Sequence, residues 1–335
     1  MSTRLNVALV AEFDLCEKLA EALEQSCLEI EKVSVVELFP FAEEQGIRFN
    51  NKSVAQISLD ETEWSDFDYV FFAGELAHAT HVAKAASAGC MVIDLNGVCA
   101  TLNDVPVIVP SVNNEQLTSL QRNIVSLPDP QVTQFIFSVS QLARDATLSQ
   151  VLVTSLLPAS YINSETVSKL AGQTAQLLNG IPLDEEQQRL AFDVFPSTKH
   201  TVNLVAQVEK IFPQLRNVIF HQVQVPVFYG MAQTVTLLSD YELDMQSQIS
   251  AWQDNALVDF NETQLFTPVT NGEAEAGEAA KLHIGGLTAV ENGVQFWLVA
   301  DEQRFNIALL GVKLAELVYQ KGYRLKLSAV VFSRV

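Results

Sequence analysis

The chain has 335 residues, 48% of them hydrophobic and 18% charged, which suits a globular protein of two domains and excludes a disordered one. Its 40 acidic residues outnumber 20 basic ones, and a formal charge of −20 disfavours nucleic acid and anionic lipid as partners. Four cysteines (Cys16, Cys27, Cys90, Cys99) lack CxxC spacing, the N-terminal apolar run is too short for a signal peptide, and no stretch is long enough to span a bilayer. The expectation is a soluble cytoplasmic protein with reduced thiols and no membrane partner.

Residues 5–11 read as a buried first strand, followed by a helix carrying Leu15, Leu19 and Leu23 on one face. Val33–Leu38 and Tyr69–Ala73 read as further strands, and an Ala-rich helix from about His78 to Ala88 ends at Gly89. Cys90–Leu95 and Val105–Val109 continue the strand series. Strands alternating with helices argue for an α/β fold, a Rossmann-like, doubly wound parallel sheet. Beyond it, Ser149–Ser155 and Val218–Leu238 suggest a larger antiparallel or mixed sheet. Ser164–Leu178 reads as a helix, Phe260–Gly277 as a polar loop, Gln295–Ala300 as a strand, and Asp301–Gln320 as a long helix. The end of the chain, Tyr323–Val335, looks extended. Between the two regions, Ile124 and Val125 meet the tight turn Leu127-Pro128-Asp129-Pro130, and an apolar helical run follows.

The order and spacing of FFAGELAHA, AASAGCMVIDLNG, DVPVIVPSVN, SLPDPQVTQ, FDVFP, QVPVFYGM, TPVT and FWLVADEQRFNIALLGVKLAEL resemble aspartate-semialdehyde dehydrogenase over nearly the full length. The resemblance implies a Rossmann-like NAD(P)-binding-type domain at 1–126, completed by a helix at 304–320. It also implies a mixed-sheet dimerisation domain at 127–303 and leaves a tail at 321–335. It further implies that the chain is a catalytically degenerate paralogue. The family nucleophile is a cysteine, and its position falls on Pro130, which has neither a nucleophilic side chain nor an N–H. The position of the general-base histidine falls on Met231, and that of the substrate-holding arginine on Gln224. The phosphate-binding arginine falls at about Ala100, and a loop glutamine at Leu157. Where the family has a Gly-rich pyrophosphate loop, this chain has Ala11, Glu12, Asp14 and Glu17; the spacing of Asp14 and Glu17 suggests a capping box, so a plain capped helix is expected. Glu43 and Glu44 stand where the family has basic residues against the NADP 2′-phosphate. NADP is therefore implied by resemblance only, and no cofactor is expected. Between Arg216 and Lys281 there are nine Asp or Glu and no Lys or Arg, which suits no anionic substrate.

Cys99 is a candidate migrated nucleophile, against the bland reading of a buried, inert thiol. Cys90 reads as packing. His78 and His81 have a metal-compatible spacing without a third ligand, so no metal is expected. His200, His221 and His283 have no evident partner, and Glu273, Glu275 and Glu278 read as a solvated loop. Three functions stay open. One is a non-catalytic binding, scaffolding or regulatory protein, a homodimer or a partner of an active relative. The second is an NAD(P)-dependent oxidoreductase acting on an aldehyde with a rearranged site. The third is a sensor of a neutral or cationic small molecule.

Overall fold

The computed structural model describes residues 4–39, 46–197, 202–273 and 278–323. Two compact units make up the chain, one from Met1–Asp129 with Ile307–Val335 and the other from Pro130–Asn306. Expectations that concern His200, Glu43, Glu44, Glu275 and the tail from residue 324 lie outside the described residues.

The first unit is built on a six-stranded parallel sheet. Strand β1 (Leu5–Val10) is buried along almost its whole length, as a strand covered on both faces must be. Helix α1 (Phe13–Glu24) buries Leu15, Leu19 and Leu23 together with Cys16 and Ala20. Strand β2 (Ile30–Glu37) follows, then a small hairpin of β3 (Arg48–Phe49) and β4 (Lys52–Ser53), then β5 (Ala55–Ser58). Strand β6 (Tyr69–Phe72), helix α2 (Ala79–Ser87), strand β7 (Met91–Asp94) and strand β8 (Ile124–Ser126) complete the set. The order β5-β2-β1-β6-β7-β8 reverses at β1, which makes the sheet doubly wound. A C-terminal helix, Leu310–Gln320, belongs to this unit, and Gly311 lets it approach Leu95: a Cβ there would lie 2.4 Å from the leucine methyl.

Two expectations in this unit are corrected. Val105–Val109 is not a strand; only Val107 bridges to Ser126. Pro106 and Pro110 remove donors on either side, and the Asn113 side chain serves the Val109 N–H and the Val107 carbonyl instead. Asp14 is not a helix cap. The N-cap is Glu12, with an extended backbone, so Asp14 already lies inside the first turn.

In the second unit, α3 (Pro130–Asp145) is buried on nearly all sides. Proline suits its first position, where the missing N–H costs nothing and the fixed φ is already helical. A seven-stranded mixed sheet lies beside it. Its members are β9 (Gln150–Leu157), β10 (Phe195–Pro196), β11 (Val218–Gln224), β12 (Met231–Leu238), β13 (Val258–Phe260), β14 (Leu282–Val290) and β15 (Gly293–Ala300). Their order is β10-β11-β9-β12-β15-β14-β13, parallel at β11–β9 and β13–β14 and antiparallel elsewhere.

The short helix α4 (Ala159–Ile162) leads into α5 (Ser164–Leu178), which is capped by the Asn163 side chain accepting from Thr166 N–H at 2.8 Å. Helices α6 (Leu204–Ile211) and α7 (Met245–Gln253) were not foreseen, nor was a turn of helix α8 (Pro268–Asn271) within the expected loop. The expected helix from Asp301 begins as a π-helix over Glu302–Leu309 and becomes α-helical only at Leu310.

One face of the sheet, with Phe220, Gln222, Val235 and Phe296, packs against α3, α6 and α7, as in the contacts of Phe135 with Phe220 and of Trp252 with Phe296. The opposite face carries Leu152 and Thr154, Ile219 and His221, Thr234 and Thr236, and Gln295, all exposed or half-buried; Ile219 is 41% exposed. Strand register brings Ile219, Leu152, Thr236 and Gln295 into one row across four strands.

Candidate functional site

Pro130, Met231, Gln224 and Leu157 all fall in the second unit, and they share one neighbourhood there. Met231 opens β12, is fully buried, and packs with Leu157 and Tyr161. Gln224 ends β11 and is 5% exposed; its Nε2 donates to the Leu157 carbonyl at 3.0 Å. Pro130 begins α3, and its carbonyl accepts from Asn306 Nδ2 at 3.0 Å. No side chain among these four can form a covalent intermediate by acyl transfer or act as a general base.

Around them lies a cluster of buried amides that sequence reading missed. Gln131 Nε2 donates to the Tyr161 hydroxyl at 2.8 Å and to Gln222 Oε1 at 3.1 Å. Gln233 Nε2 donates to the Gln131 carbonyl at 2.9 Å and to Ser155 Oγ at 3.0 Å, and Gln134 Nε2 to the Met231 carbonyl at 3.4 Å. The oxygens of Gln134, Gln224, Gln233 and Asn306 are buried without a hydrogen-bond partner among the described residues. In all four side chains the nitrogen faces a backbone carbonyl, so exchanging N for O would set oxygen against oxygen. The orientation of each amide is thereby fixed, and each orphaned acceptor costs about 1–3 kcal/mol. The one available sequence signal was Gln233, a polar residue in the inward series Met231, Gln233, Val235, Leu237.

Glu302 adjoins this cluster. One carboxylate oxygen accepts from Ser160 Oγ, and the other from the Gly230 N–H at 3.1 Å. Gly230 has φ +89°, and a Cβ there would come within 2.7 Å of Gly272 Cα and 2.9 Å of the Pro268 carbonyl. Only glycine fits that turn and still offers its N–H to the carboxylate. Asp301 opens the same segment, accepting from the N–H groups of Gln303 and Arg304.

In the first unit, Cys99 is 4% exposed and its thiol is pushed up to about 12, by burial first and by the charge of Asp94 second. Such a thiol carries almost no thiolate near neutrality and is a poor nucleophile. Asp94 at the end of β7 is the polar centre here. It accepts from Cys99 N–H and Ser126 Oγ, each at 2.7 Å, and from Val98 and Asn96 N–H at 3.2 and 3.3 Å. Burial pushes its carboxyl up to about 6 against the pull of those bonds. Ser126 Oγ also lies 2.6 Å from the Leu127 carbonyl.

At the start of α1, Glu12 stands at the N-cap and Asp14 in the first turn, with Glu17 in the turn that follows. Ala11 is fully buried, and the Cys16 thiol donates to its carbonyl at 3.6 Å. An incoming pyrophosphate meets like charge at Glu12 and Asp14, so the residues present do not fit a dinucleotide held in the familial way. Ala100 is fully buried.

The histidines resolve individually. His78 precedes α2 and accepts from the Glu75 N–H, while its ring meets Phe39 edge-on. Burial lowers the pKa of His81, with Lys84 and His78 adding to the effect. His283 does have a partner, contrary to expectation: its Nδ1 lies 3.0 Å from Asp259 Oδ2, an approach made by the parallel pairing of β13 and β14. His221 is exposed on the open sheet face. Cys90 Sγ donates to the Trp64 carbonyl at 2.9 Å within the core. No group of three metal-ligating residues occurs among the described residues, and no described helix is long and apolar enough to cross a membrane.

The fold defines a protein of the semialdehyde dehydrogenase type. A family model for the semialdehyde dehydrogenase NAD-binding domain matches residues 18–120. A crystal structure of aspartate semialdehyde dehydrogenase II from Vibrio cholerae superimposes with a TM-score of 0.83 at 24% identity, covering 95% of this chain and 99% of that one. In sequence, the chain is 60% identical to the USG-1 protein homolog of Haemophilus influenzae, over 96% of this chain and all of that one. It is 29% identical to aspartate-semialdehyde dehydrogenase 2 of Vibrio cholerae, over 95% of this chain and 98% of that one. The chain belongs to the aspartate-semialdehyde dehydrogenase family, in its USG-1-like group.

Proposed function

We propose that this family member is non-catalytic and acts by binding, as a scaffolding or regulatory protein of the cytoplasm. The observation that carries the reading is the pairing of Pro130 at the head of α3 with a buried, apolar Met231, where the resemblance places nucleophile and base. Gln224 in place of a cationic clamp and the carboxylates of Glu12 and Asp14 at the α1 terminus point the same way. NADP belongs to this chain by family resemblance only, and no cofactor is needed for the proposed role. The competing reading, an oxidoreductase acting on an aldehyde through Cys99, requires a thiolate that burial opposes.

The half-buried sheet face around Ile219, Leu152, Thr234 and Thr236 supports a homodimer, or association with an active relative through the same face. Neither nucleic acid nor membrane is a partner on this reading, given the net charge of −20. The test is NADP-linked turnover of aspartate semialdehyde with phosphate by highly purified protein. A rate no greater than the protein-free blank is expected; activity that co-elutes with the protein through successive orthogonal columns rules the reading out. Light scattering tests the dimer: Ile219→Lys should yield monomer, and an unchanged mass would show that this face is not the interface.

A further inference from the structure

We infer that the amide cluster of the second unit recognises an N–H-rich organic cation, a primary ammonium or guanidinium group. This rests on the binding reading above and names its ligand class. The oxygens of Gln134, Gln224, Gln233 and Asn306 are acceptors without donors, and their nitrogens are committed to backbone carbonyls. Both N–H bonds of Gln233 are spent, on the Gln131 carbonyl and on Ser155. An anion needs donors, and this cluster presents oxygen; a cation with several N–H groups matches it.

The hydrogen bonds tie these groups into one continuous neighbourhood. Asn306 bonds to Pro130, the residue next to Gln131, and Gln131 bonds to Gln233 and Tyr161. Gln134 bonds to Met231, which adjoins Gly230 and so the carboxylate of Glu302. Glu302 adds further acceptor oxygen, and the stretch between Arg216 and Lys281 contributes no competing cation. The four amide oxygens are closed to solvent, so a ligand reaches them only when the packing around them opens, the amides keeping the orientation their carbonyl bonds set. Association is therefore slower than for an open pocket.

The experiment is a titration of the purified full chain with agmatine and with 1,4-diaminobutane, read by melting midpoint and by the side-chain amide resonances of Gln and Asn. Phosphate, aspartate and NADP serve as anionic controls. The expected result is a rise of about 2–4 °C at a concentration about 100 times Kd, together with shifts in side-chain amide resonances. The anionic controls should leave both readouts unchanged. Gln224→Met and Asn306→Leu remove one acceptor each and should weaken binding by about tenfold or more.

The inference is overturned if neither cation alters either readout at about 10 mM, if an anion produces the rise instead, or if both variants bind as the wild type does. Should a variant fail to fold, the wild-type resonances decide alone. Turnover measured on the same preparation separates the two ideas. Turnover would sink the non-catalytic reading whatever the cations do. Absence of both turnover and cation binding would sink only this inference.

Discussion

Replacing Asp94 with asparagine should remove a pH dependence of stability that the wild type carries. The carboxyl ordinarily titrates at 3.8, and in the folded protein burial pushes it up to about 6. Between those values the folded state holds more protons than the unfolded state, so stability falls as pH rises through the window. The gap corresponds to about 3 kcal/mol, fully lost once the pH exceeds the folded value. The direction is opposite to that of a salt-bridged aspartate, which gains stability as pH rises. Asparagine keeps one acceptor oxygen, enough for the Cys99 N–H but not for the Val98 N–H as well, and does not titrate. Urea unfolding of both proteins from pH 4 to 8, in a Trp252→Phe, Trp297→Phe background so that the buried Trp64 alone reports, reads the first unit. The wild type should lose about 3 kcal/mol relative to Asp94→Asn between pH 4 and 7, and their difference should then be flat. Protection of the Val98 and Cys99 amides, taken relative to intrinsic exchange at each pH, should fall over the same window in the wild type alone. A stability difference independent of pH would refute the reasoning, because it would mean that Asp94 titrates alike in folded and unfolded chains.

Three further outcomes are expected. Restoring Pro130→Cys, Met231→His and Gln224→Arg together should still give no measurable aspartate-semialdehyde turnover, since the carboxylates at the α1 terminus remain; appreciable activity would show that this terminus tolerates a dinucleotide. Gly230→Ala should destabilise by more than about 3 kcal/mol, from a forbidden φ and a collision with Gly272 and Pro268 backbone, measured by denaturant midpoint. Gln224→Met should leave the ligand-free protein as stable or about 1 kcal/mol more stable, because the orphaned oxygen goes while the Leu157 carbonyl keeps the Val225 N–H at 3.1 Å; a melting midpoint answers it.

Elements with strong local punctuation were legible in the sequence. Helix α5 runs from Ser164 to Leu178 as expected, because Asn163 caps it and Asn179-Gly180 stops it. The alternation that gives β9 and β12 their two faces was equally visible. The hairpin of β3 and β4 passed unnoticed, although Asn50 and Asn51, at φ 51° and 61°, are the residues such a tight turn favours. Val105–Val109 has the composition of a strand, but its flanking prolines prevail over propensity.

Single substitutions at Pro130, Met231 and Gln224 could be read one by one, because each removes a chemical group. What replaced them could not. Gln131, Ser155, Gln222, Gln233 and Asn306 are spread over more than half the chain, and only strand register and the placement of α3 bring their amides together. Asp94 was hidden for a different reason. Inside the run CMVIDL it looks like the end of a strand, and its four hydrogen bonds depend on how the following loop folds back.

The acidic start of α1 has a consequence for how the protein answers its surroundings. A helix end that binds a phosphate is completed from outside, and its stability then follows nucleotide supply by mass action. Here the negative charge comes from the chain's own Glu12 at the N-cap and Asp14 in the first turn. Each carboxylate contributes about 0.3–1 kcal/mol at every nucleotide concentration. The end of α1 therefore carries negative charge that the chain itself supplies, present at every ligand concentration.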